Sequence, residues 1–265
     1  MSTSYNVSAL AKGLRVLSVF SEQRRELRLV DVAALTGFPV PTVFRLLKTL
    51  QSEGYVDQLE SGHFRPGPHV LSLGYAALQG QDVVEAASLP LKRLADETAE
   101  TVNLGTLIGT SVMYLARVKN TDLVTASVQV GSTLPAACTS MGKVLLAYLD
   151  AAELDERLRQ IDLGACRGPR AVRSIAQLRY QLREVRECGW ALQDEEIAHG
   201  LRSISAPVRD GAGAVTAALN LAVQASRWTR HELVDRFLHP LLAASDETSR
   251  RLGFVGEGGV DARRT

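Results

Sequence analysis

Cysteine is scarce in this chain, which has 3 cysteines among 265 residues. Cys138, Cys166 and Cys188 are odd in number and far apart, and none has a second cysteine or a histidine at metal-ligand spacing. The pattern indicates neither a disulfide framework nor a zinc site, and we expect no metal or other cofactor. We interpret all three residues as free thiols with a packing role.

Long hydrophobic runs and an excess of one charge are missing as well. No apolar run approaches the roughly 20 residues that a membrane helix needs, and the first residues lack the apolar stretch of a secretory signal. We therefore expect a cytoplasmic protein without a membrane partner. The formal net charge is +1, so any contact with nucleic acid must be made by a local patch.

Apolar residues make up 46% of the chain, and its length is that of about two domains. Proline and glycine divide it further. Residues 1–67 are predicted to form one unit, residues 68–80 a linker helix that ends at Gly80, and residues 81–254 a second unit. Residues 255–265, rich in glycine and charge, are expected to form a flexible tail.

Helical spacing of apolar residues predicts three short helices in the first unit. The first helix is expected to bury one stripe, formed by Leu10, Leu14, Leu17 and Phe20. The second covers residues 30–36 and ends at Gly37, and the third covers residues 40–52. Two short strands are predicted within residues 55–66, so this unit has the pattern of a helix-turn-helix with a wing.

The second unit alternates strand patterns with helix starts. Strands are predicted at residues 101–108, 112–118, 124–130, 202–209 and 214–223. Capping-box spacing marks four helix starts, at Asp82 with Glu85, Asp150 with Glu153, Ser174 with Gln177, and Thr229 with Glu232. Hairpins interrupted by helices favour an α+β domain with a mainly antiparallel sheet.

The third helix has the two faces that a DNA-reading helix needs, one anchored in the protein and one with donors for the major groove. The anchoring face holds Val43, Leu46, Leu47 and Leu50. The opposite face holds Pro41, Arg45, Lys48 and Ser52, flanked by Thr42, Phe44 and Thr49. Arg45 is the candidate for a bidentate contact with guanine, and Lys48 is the candidate for a phosphate contact.

Other residues of the first unit are candidates for contacts with phosphate or with a neighbouring groove. They are Thr42 at the start of the third helix, Arg15 and Arg28 near the first and second helices, and His63 and Arg65 in the wing. The alternative is that Arg45 and Lys48 only decorate a solvated helix face.

Several polar residues in the second unit are candidates for contacts with a small molecule. Thr139 and Ser140 precede a helix predicted at residues 143–149, whose positive end suits a carboxylate. Alternation places Ser203 and Ser205 on one face of their strand. Simple capping and internal hydrogen bonds are the alternatives for these side chains.

Two further strands contribute to the same expectation. Asn220 and Ala222 lie on the small-residue face of the strand at 214–223, where there is room for a ligand. Arg117, in the strand at 112–118, can pair with an acid group, and the alternative is an outward-facing arginine.

Several blocks, in order and spacing, carry a resemblance over nearly the whole chain. They are LAKGLRVLSVFSEQ, LRLVDVAALTGFPVPTVFRLLKTLQSEGYV, GPHVLSLGYAAL, VGSTLPAACTSMGKVLLAYL and GWALQDEEIAHGLRSISAPVRD. The sequence resembles the isocitrate lyase regulator (IclR) family of bacterial regulators. The resemblance implies a winged helix-turn-helix DNA-binding domain in residues 1–67, a linker helix, and a GAF-like effector-binding domain in residues 81–254. It also implies a homodimer or homotetramer on double-stranded operator DNA.

The resemblance also implies a set of effector contacts, at Ser140, Met141, Gln193, Ser203, Asn220 and Ala222. The glyoxylate-responding type has Asp at the Gln193 position and Ser at the Asn220 and Ala222 positions, so a different effector is expected. The block SVQVGSTLPAACTSMGKVLLA resembles the subgroup that controls protocatechuate and para-hydroxybenzoate catabolism, whose members respond to aromatic acids or β-ketoadipate. A small organic acid is therefore the expected partner.

Two positions depart from the family pattern. Arg28 stands where the family often has a Thr or Ser helix cap, so the cap is expected to be weaker by about 1 kcal/mol or the position to contact phosphate. Pro41 replaces a small residue at a helix start, where its fixed φ is tolerated.

An enzyme is the main alternative class. The sequence has no G-x-S-x-G elbow, H-E-x-x-H, P-loop or G-x-G-x-x-G motif, and its histidines do not cluster, so no catalysis is expected. The carboxylates Asp194, Glu195 and Glu196 are expected to form a solvated turn. A ligand sensor that acts only through protein partners is the second alternative, and the cationic face with Arg45 and Lys48 disfavours it.

Overall fold

The computed structural model describes residues 6–21, 24–79, 82–119 and 128–255. The chain divides into two units, Met1–Gly80 and Gln81–Thr265. Most of the strand predicted at 124–130 lies outside the described residues, and residues 128–130 are not in a strand. Of the predicted tail, residues 256–265 also lie outside them.

The N-terminal unit is made of helices and one hairpin. Its elements are α1 (Ser8–Leu17), α2 (Leu29–Thr36), α3 (Val40–Ser52), β1 (Val56–Gln58), β2 (Phe64–Pro66) and α4 (Pro68–Gln79). Gly37 ends α2 in the left-handed region, with φ of 71°, because a glycine lacks the Cβ that disfavours this conformation. β1 and β2 pair antiparallel, with Asp57 opposite Arg65. The predicted helix-turn-helix and wing are thus present.

The core of this unit is formed by α1, α2, α3 and the hairpin, with Val16, Val32, Val43, Leu47 and Phe64 almost fully buried. Half of the stripe predicted for the first helix was wrong, because Leu17 and Phe20 pack against this core but Leu10 and Leu14 do not. Leu10 and Leu14 are 62% and 56% exposed, because α1 turns the face with Gly13 and Val16 inward. The apolar side chains of α1 therefore lie on both of its faces.

The C-terminal unit is a sheet with helices packed against it. Its elements are α5 (Asp82–Thr98), β3 (Thr101–Ile108), β4 (Ser111–Val118), β5 (Thr133–Pro135), α6 (Ser140–Ala147), α7 (Ala151–Gln160), α8 (Ile175–Cys188), β6 (Ala191–Asp194), β7 (Leu201–Arg209), β8 (Val215–Gln224) and α9 (Arg230–Arg251). The six-stranded sheet has the order β5-β4-β3-β8-β7-β6. Every pairing in it is antiparallel, as the sequence predicts.

Helix starts follow the predicted caps in this unit. The side chains of Asp150, Ser174 and Thr229 each accept a hydrogen bond from the backbone N–H three residues on. Thr229 and Glu232 form the full reciprocal box. Asp82 is itself the first residue of α5.

Helix α6 starts at two of the predicted effector residues, Thr139 and Ser140. It begins at Ser140, three residues before the predicted start, because Thr139 caps it by accepting from Gly142 N over 3.1 Å. All its residues are buried, since it packs against both α8 and β7. Its first turn is therefore held against the sheet.

Among the described residues, no single helix is long and apolar enough to cross a membrane, although the bent pair of α2 and α3 reaches that length and composition together.

Candidate DNA interface and effector site

Helix α3 presents an exposed face opposite its anchor. Val43 and Leu47 are fully buried in the N-terminal unit. On the far side Pro41, Phe44, Arg45 and Lys48 are exposed, and Thr42 is half-buried. The structure therefore brings the predicted contact residues of α3 onto one accessible surface.

The two cations on this face have different environments. Lys48 Nζ donates to Gln51 Oε1 over 3.0 Å and to Gln58 Oε1 over 2.8 Å. Both partners are neutral amides, so the positive charge is positioned but not neutralised. Arg45 makes no side-chain hydrogen bond or ion pair within the described part of the chain. Its guanidinium is thus available to an outside acceptor such as a base edge.

As expected, the Arg28 side chain does not cap α2, but Asp31 supplies part of the missing cap. The contact of Arg28 with phosphate stays a prediction. The carboxylate of Asp31 accepts from Arg28 N over 3.1 Å, and it also pairs with the guanidinium through contacts of 2.9 and 3.1 Å. Asp31 therefore caps the helix from its third position. The hydrogen bond to Asp31 also raises the pKa of Arg28 above its ordinary value.

The remaining candidates of this unit lie on other elements than α3. Arg65 pairs across the hairpin with Asp57, at 3.4 Å between Nε and Oδ2. His63 is half-buried, and its Nδ1 lies 3.1 Å from Ser61 Oγ. Arg15 is exposed, with its guanidinium 5.2 Å from the centre of the Phe38 ring.

In the C-terminal unit, one face of the sheet carries two adjacent rows of side chains. The first row runs through directly paired residues, Arg117 on β4, Asn103 on β3, Asn220 on β8 and Ser205 on β7. The second row runs through Thr101 on β3, Ala222 on β8, Ser203 on β7 and Gln193 on β6. Because the rows are two residues apart on each shared strand, both lie on the same face.

Ser140, the first residue of α6, connects these rows. Its Oγ lies 2.8 Å from Ser203 Oγ, accepts from Ser205 Oγ over 2.7 Å, and accepts from Asn220 Nδ2 over 2.9 Å. Asn103 Nδ2 donates to Asn220 Oδ1 over 2.8 Å. The helix and the sheet are therefore joined by one buried polar network, which a low-dielectric interior makes strong when its members are satisfied.

A cavity of about 30 Å³ lies between this network and the neighbouring loops. Its lining includes eight of the nine predicted effector residues, namely Arg117, Thr139, Ser140, Met141, Gln193, Ser203, Asn220 and Ala222. Ser205 is not in the lining and instead holds Ser140 and Asn220 in place. A buried water needs about 10–15 Å³ of such space, so the cavity has room for about two water molecules. An organic acid must therefore move the walls to enter.

Sequence reasoning missed three polar residues of the lining, Thr101, Asn103 and Tyr114. Thr101 and Asn103 stand two apart in a strand that was predicted correctly, and this polar spacing was the available signal. Thr101 Oγ1 and Asn103 Oδ1 are buried and have no hydrogen-bond partner among the described residues. A buried polar atom without a partner is costly, so both atoms favour a polar occupant.

Arg117 is the one cation among the described residues that line the cavity. It is half-buried, and it has no acidic partner in the described part of the chain. Burial lowers its pKa from the ordinary value, an effect that the nearby Tyr114 partly opposes. Burial also raises the pKa of Tyr114 to about 12, so this hydroxyl stays neutral. Burial takes the Arg117 charge partly out of water. A carboxylate bound there would replace the lost hydration with an ion pair.

Gln193 acts as a support for the second row. With its amide oxygen turned toward the backbone, Oε1 accepts from Glu195 N over 3.2 Å and from Glu196 N over 2.8 Å. The amide nitrogen then donates to Ser203 Oγ over 3.3 Å. Both ends of this amide are thus engaged by the protein itself.

The carboxylates at 194–196 do not form a solvated turn, and this prediction was wrong. Asp194 and Glu196 are each 5% exposed. Asp194 pairs with Arg170 and with Arg202, and Glu196 Oε1 lies 2.5 Å from Lys143 Nζ. The run is a buried ion-pair network, because charged groups enter an interior only with partners.

In the part of the chain that the structure describes, no group of ligands is arranged to hold a metal ion.

Comparisons with known proteins match both units. The family described as the bacterial transcriptional regulator IclR C-terminal domain matches residues 75–250, and the IclR helix-turn-helix domain matches residues 9–60. The Pca regulon regulatory protein of Pseudomonas putida is 38% identical over 247 residues, which are 93% of this chain and 84% of the relative.

Solved structures agree with this assignment. An IclR family transcriptional regulator from Brucella abortus has 30% identity and a TM-score of 0.80, over 94% of this chain and 93% of that one. An IclR homologue from Microbacterium hydrocarbonoxydans, in complex with 4-hydroxybenzoate, has 24% identity and a TM-score of 0.78, over 92% and 99% of the two chains. The second likeness shows the shared fold. The chain belongs to the IclR family of bacterial transcriptional regulators, in the subgroup of the Pca regulon regulatory protein.

Proposed function

We propose that this regulator binds operator DNA through α3 and that a small organic acid of aromatic catabolism, bound at the network around Ser140, controls its action. The main support for an acidic effector is Arg117, a half-buried cation at the cavity wall without an acidic partner in the described part of the chain. A carboxylate is the complementary group.

On the DNA side, the support is the exposed face of α3. Arg45 has the planar fork that binds guanine in the major groove, and Lys48 is held with its charge unneutralised. Thr42, Pro41 and Phe44 complete this surface. Arg15, Arg28, His63 and Arg65 would contact the DNA backbone or an adjacent groove, with Arg28 and Arg65 exchanging their carboxylate partners for phosphate.

We also propose that the protein acts as a homodimer or homotetramer. The support is apolar surface in the N-terminal unit, where Leu10 and Leu14 on α1 and Leu71 and Leu73 on α4 are each more than half exposed. Leu10, Leu14 and Leu73 border a groove of about 880 Å³ whose lining also includes Thr42 and Arg45 of α3. The proposed contact between subunits is therefore confined to the exposed leucines of α1 and α4 and leaves the α3 face free. A contiguous apolar surface of this kind marks an interaction site, and a two-fold dimer would present two α3 helices to a palindromic operator.

A ligand screen tests the effector half. Because a molecule that binds only the folded state raises stability by mass action, the melting temperature is measured with protocatechuate, 4-hydroxybenzoate, β-ketoadipate and glyoxylate. We expect a shift with an acid of the aromatic pathway and none with glyoxylate. A shift with glyoxylate alone, or with none of the four, would overturn the proposed effector class.

A mobility-shift assay on the promoter beside the protein's own gene tests the DNA half. Binding that persists unchanged in Arg45→Ala would remove α3 from the proposed interface. Binding that is lost while the circular dichroism spectrum is retained would support it.

A further inference from the structure

Two asparagines in the first row have amide orientations that the backbone dictates. Asn220 Nδ2 donates to the backbone carbonyl of Ile204 over 3.2 Å. A carbonyl oxygen can only accept, so this end of the Asn220 amide must be the nitrogen. The oxygen of Asn220 consequently faces Asn103.

The same constraint passes to Asn103. Because Asn220 offers an acceptor, the amide nitrogen of Asn103 must face it, and the two atoms lie 2.8 Å apart. Asn103 Oδ1 is then left on the other side of the amide. This atom is an acceptor only, it is buried, and no described residue donates to it. The cavity lined by Asn103 therefore requires a donor from its occupant.

Neighbouring groups define what that occupant carries. Thr101 lies two residues before Asn103 on the same face, is fully buried, and has an Oγ1 without a partner among the described residues. Arg117 is paired directly with Asn103 across β3 and β4. The other polar residues of the described lining are neutral. The cavity therefore offers a ligand one cation, Arg117, and one acceptor without a donor, Asn103 Oδ1.

We infer that this cavity selects a monocarboxylic acid bearing a hydroxyl group, with the acid at Arg117 and the hydroxyl donating to Asn103 Oδ1. The inference rests on the proposed function and adds Asn103 and Thr101 as residues that determine specificity. One ligand hydroxyl can donate to Asn103 and accept from Thr101, which satisfies both orphaned atoms.

A dicarboxylic acid does not fit these requirements. Its second carboxylate has no proton to donate at neutral pH, would face the Asn103 oxygen, and would find no second cation in the described lining. An acid without a hydroxyl also fails, because it supplies no donor to Asn103 Oδ1 while it excludes solvent from that atom.

Calorimetric titration of the full chain with matched acids tests the inference. The probes are benzoate, the three monohydroxybenzoates, protocatechuate, 4-methoxybenzoate and β-ketoadipate. We expect at least one hydroxylated acid to bind about tenfold or more tightly than benzoate, since a buried acceptor is otherwise left unpaired. 4-Methoxybenzoate, which has the oxygen but no proton, is expected to bind no better than benzoate.

Variants separate recognition from a structural role. In Asn103→Ala the advantage of the hydroxylated acid over benzoate should fall to less than about threefold, whereas a merely structural role would weaken both acids equally and keep their ratio. Thr101→Val, which keeps the side-chain shape, should reduce the same ratio. Arg117→Ala should weaken the acids together. Unliganded melting temperatures show that each variant is folded.

Two results would overturn the inference. The first would leave the proposed function intact, and the second would overturn the proposed effector class as well. If β-ketoadipate binds and no hydroxylated benzoate does, the selectivity assigned to Asn103 is wrong, while a regulator controlled by an acid remains. If no acid of either kind binds, the proposed effector class falls as well.

Discussion

Asn103 on β3 lies directly opposite Asn220 on β8, and its Nδ2 donates to the Asn220 side-chain oxygen over 2.8 Å. Asn220 in turn donates to Ser140 on α6. The side chains that wall the cavity are thus the ones that fix the first turn of α6 on the sheet. A ligand that bonds to Asn103 or Ser140 acts directly on this attachment.

Ser140→Ala should destabilise the C-terminal unit. The variant removes the oxygen that Ser203, Ser205 and Asn220 share, and buried polar groups left unpaired cost about 1–3 kcal/mol. Denaturant unfolding measures the change. Ser88→Ala is the control, because Ser88 is exposed and its hydroxyl donates to the Glu85 carbonyl within α5. Equal stabilities of the two variants would contradict a tight network.

Lys143→Met should cost about 3–5 kcal/mol of unfolding free energy, because it leaves the buried Glu196 without its cation. The double variant Lys143→Met with Glu196→Leu should recover most of this loss, since neither charge then remains. A double-mutant cycle on chemical denaturation measures the coupling. A double variant as unstable as the sum of the single variants would show that the two side chains are not paired.

Arg45→Ala should weaken operator binding by roughly 5–150-fold, which corresponds to the loss of one bidentate base contact. Arg65→Ala is the matched control, because Arg65 is already paired with Asp57 and lies in the wing, away from the base edges that α3 is proposed to read. Its loss should weaken binding to specific and unrelated DNA alike. Fluorescence anisotropy with both DNAs measures the effect, and an Arg45→Ala variant that keeps its preference for the operator would argue against base reading.

Leu10→Glu combined with Leu14→Glu should dissociate the assembly. Both side chains are more than half exposed, so the substitutions leave the core of the N-terminal unit intact while they place charge on the proposed contact surface. Light scattering during size-exclusion chromatography measures the mass, with Leu35→Glu on α2 as the exposed control. An unchanged mass for the double variant would locate the contacts between subunits elsewhere.

Local patterns predicted the elements best where one face is strictly buried. Helix α3 has the predicted bounds 40–52 and the predicted anchor, because Val43 and Leu47 leave no other way to pack it. In α1, apolar side chains occur on both faces. Their spacing predicted that Leu10 and Leu14 are buried, but Gly13 and Val16 are the residues turned inward. Periodicity thus predicts a helix more reliably than it predicts which of two apolar faces is buried.

The pairing of distant strands explains what the sequence could not predict at the effector site. Eight of nine predicted effector residues line the cavity, yet Asn103 was missed because its place beside Arg117 and Asn220 depends on the register of three strands. The carboxylates at 194–196 were misjudged for the same reason, since their partners Lys143 and Arg202 are brought to them by the fold.

Control of promoter activity by an acid at Arg117 is the central claim, and in vitro transcription from the promoter beside the protein's own gene tests it most directly. The measurement compares the natural protein with Arg117→Ala, each with and without the acid that gives the largest thermal shift. We predict that the acid changes transcription with the natural protein and has no effect with Arg117→Ala, although both proteins bind the operator equally well without acid. The same acid response from both proteins would contradict the account.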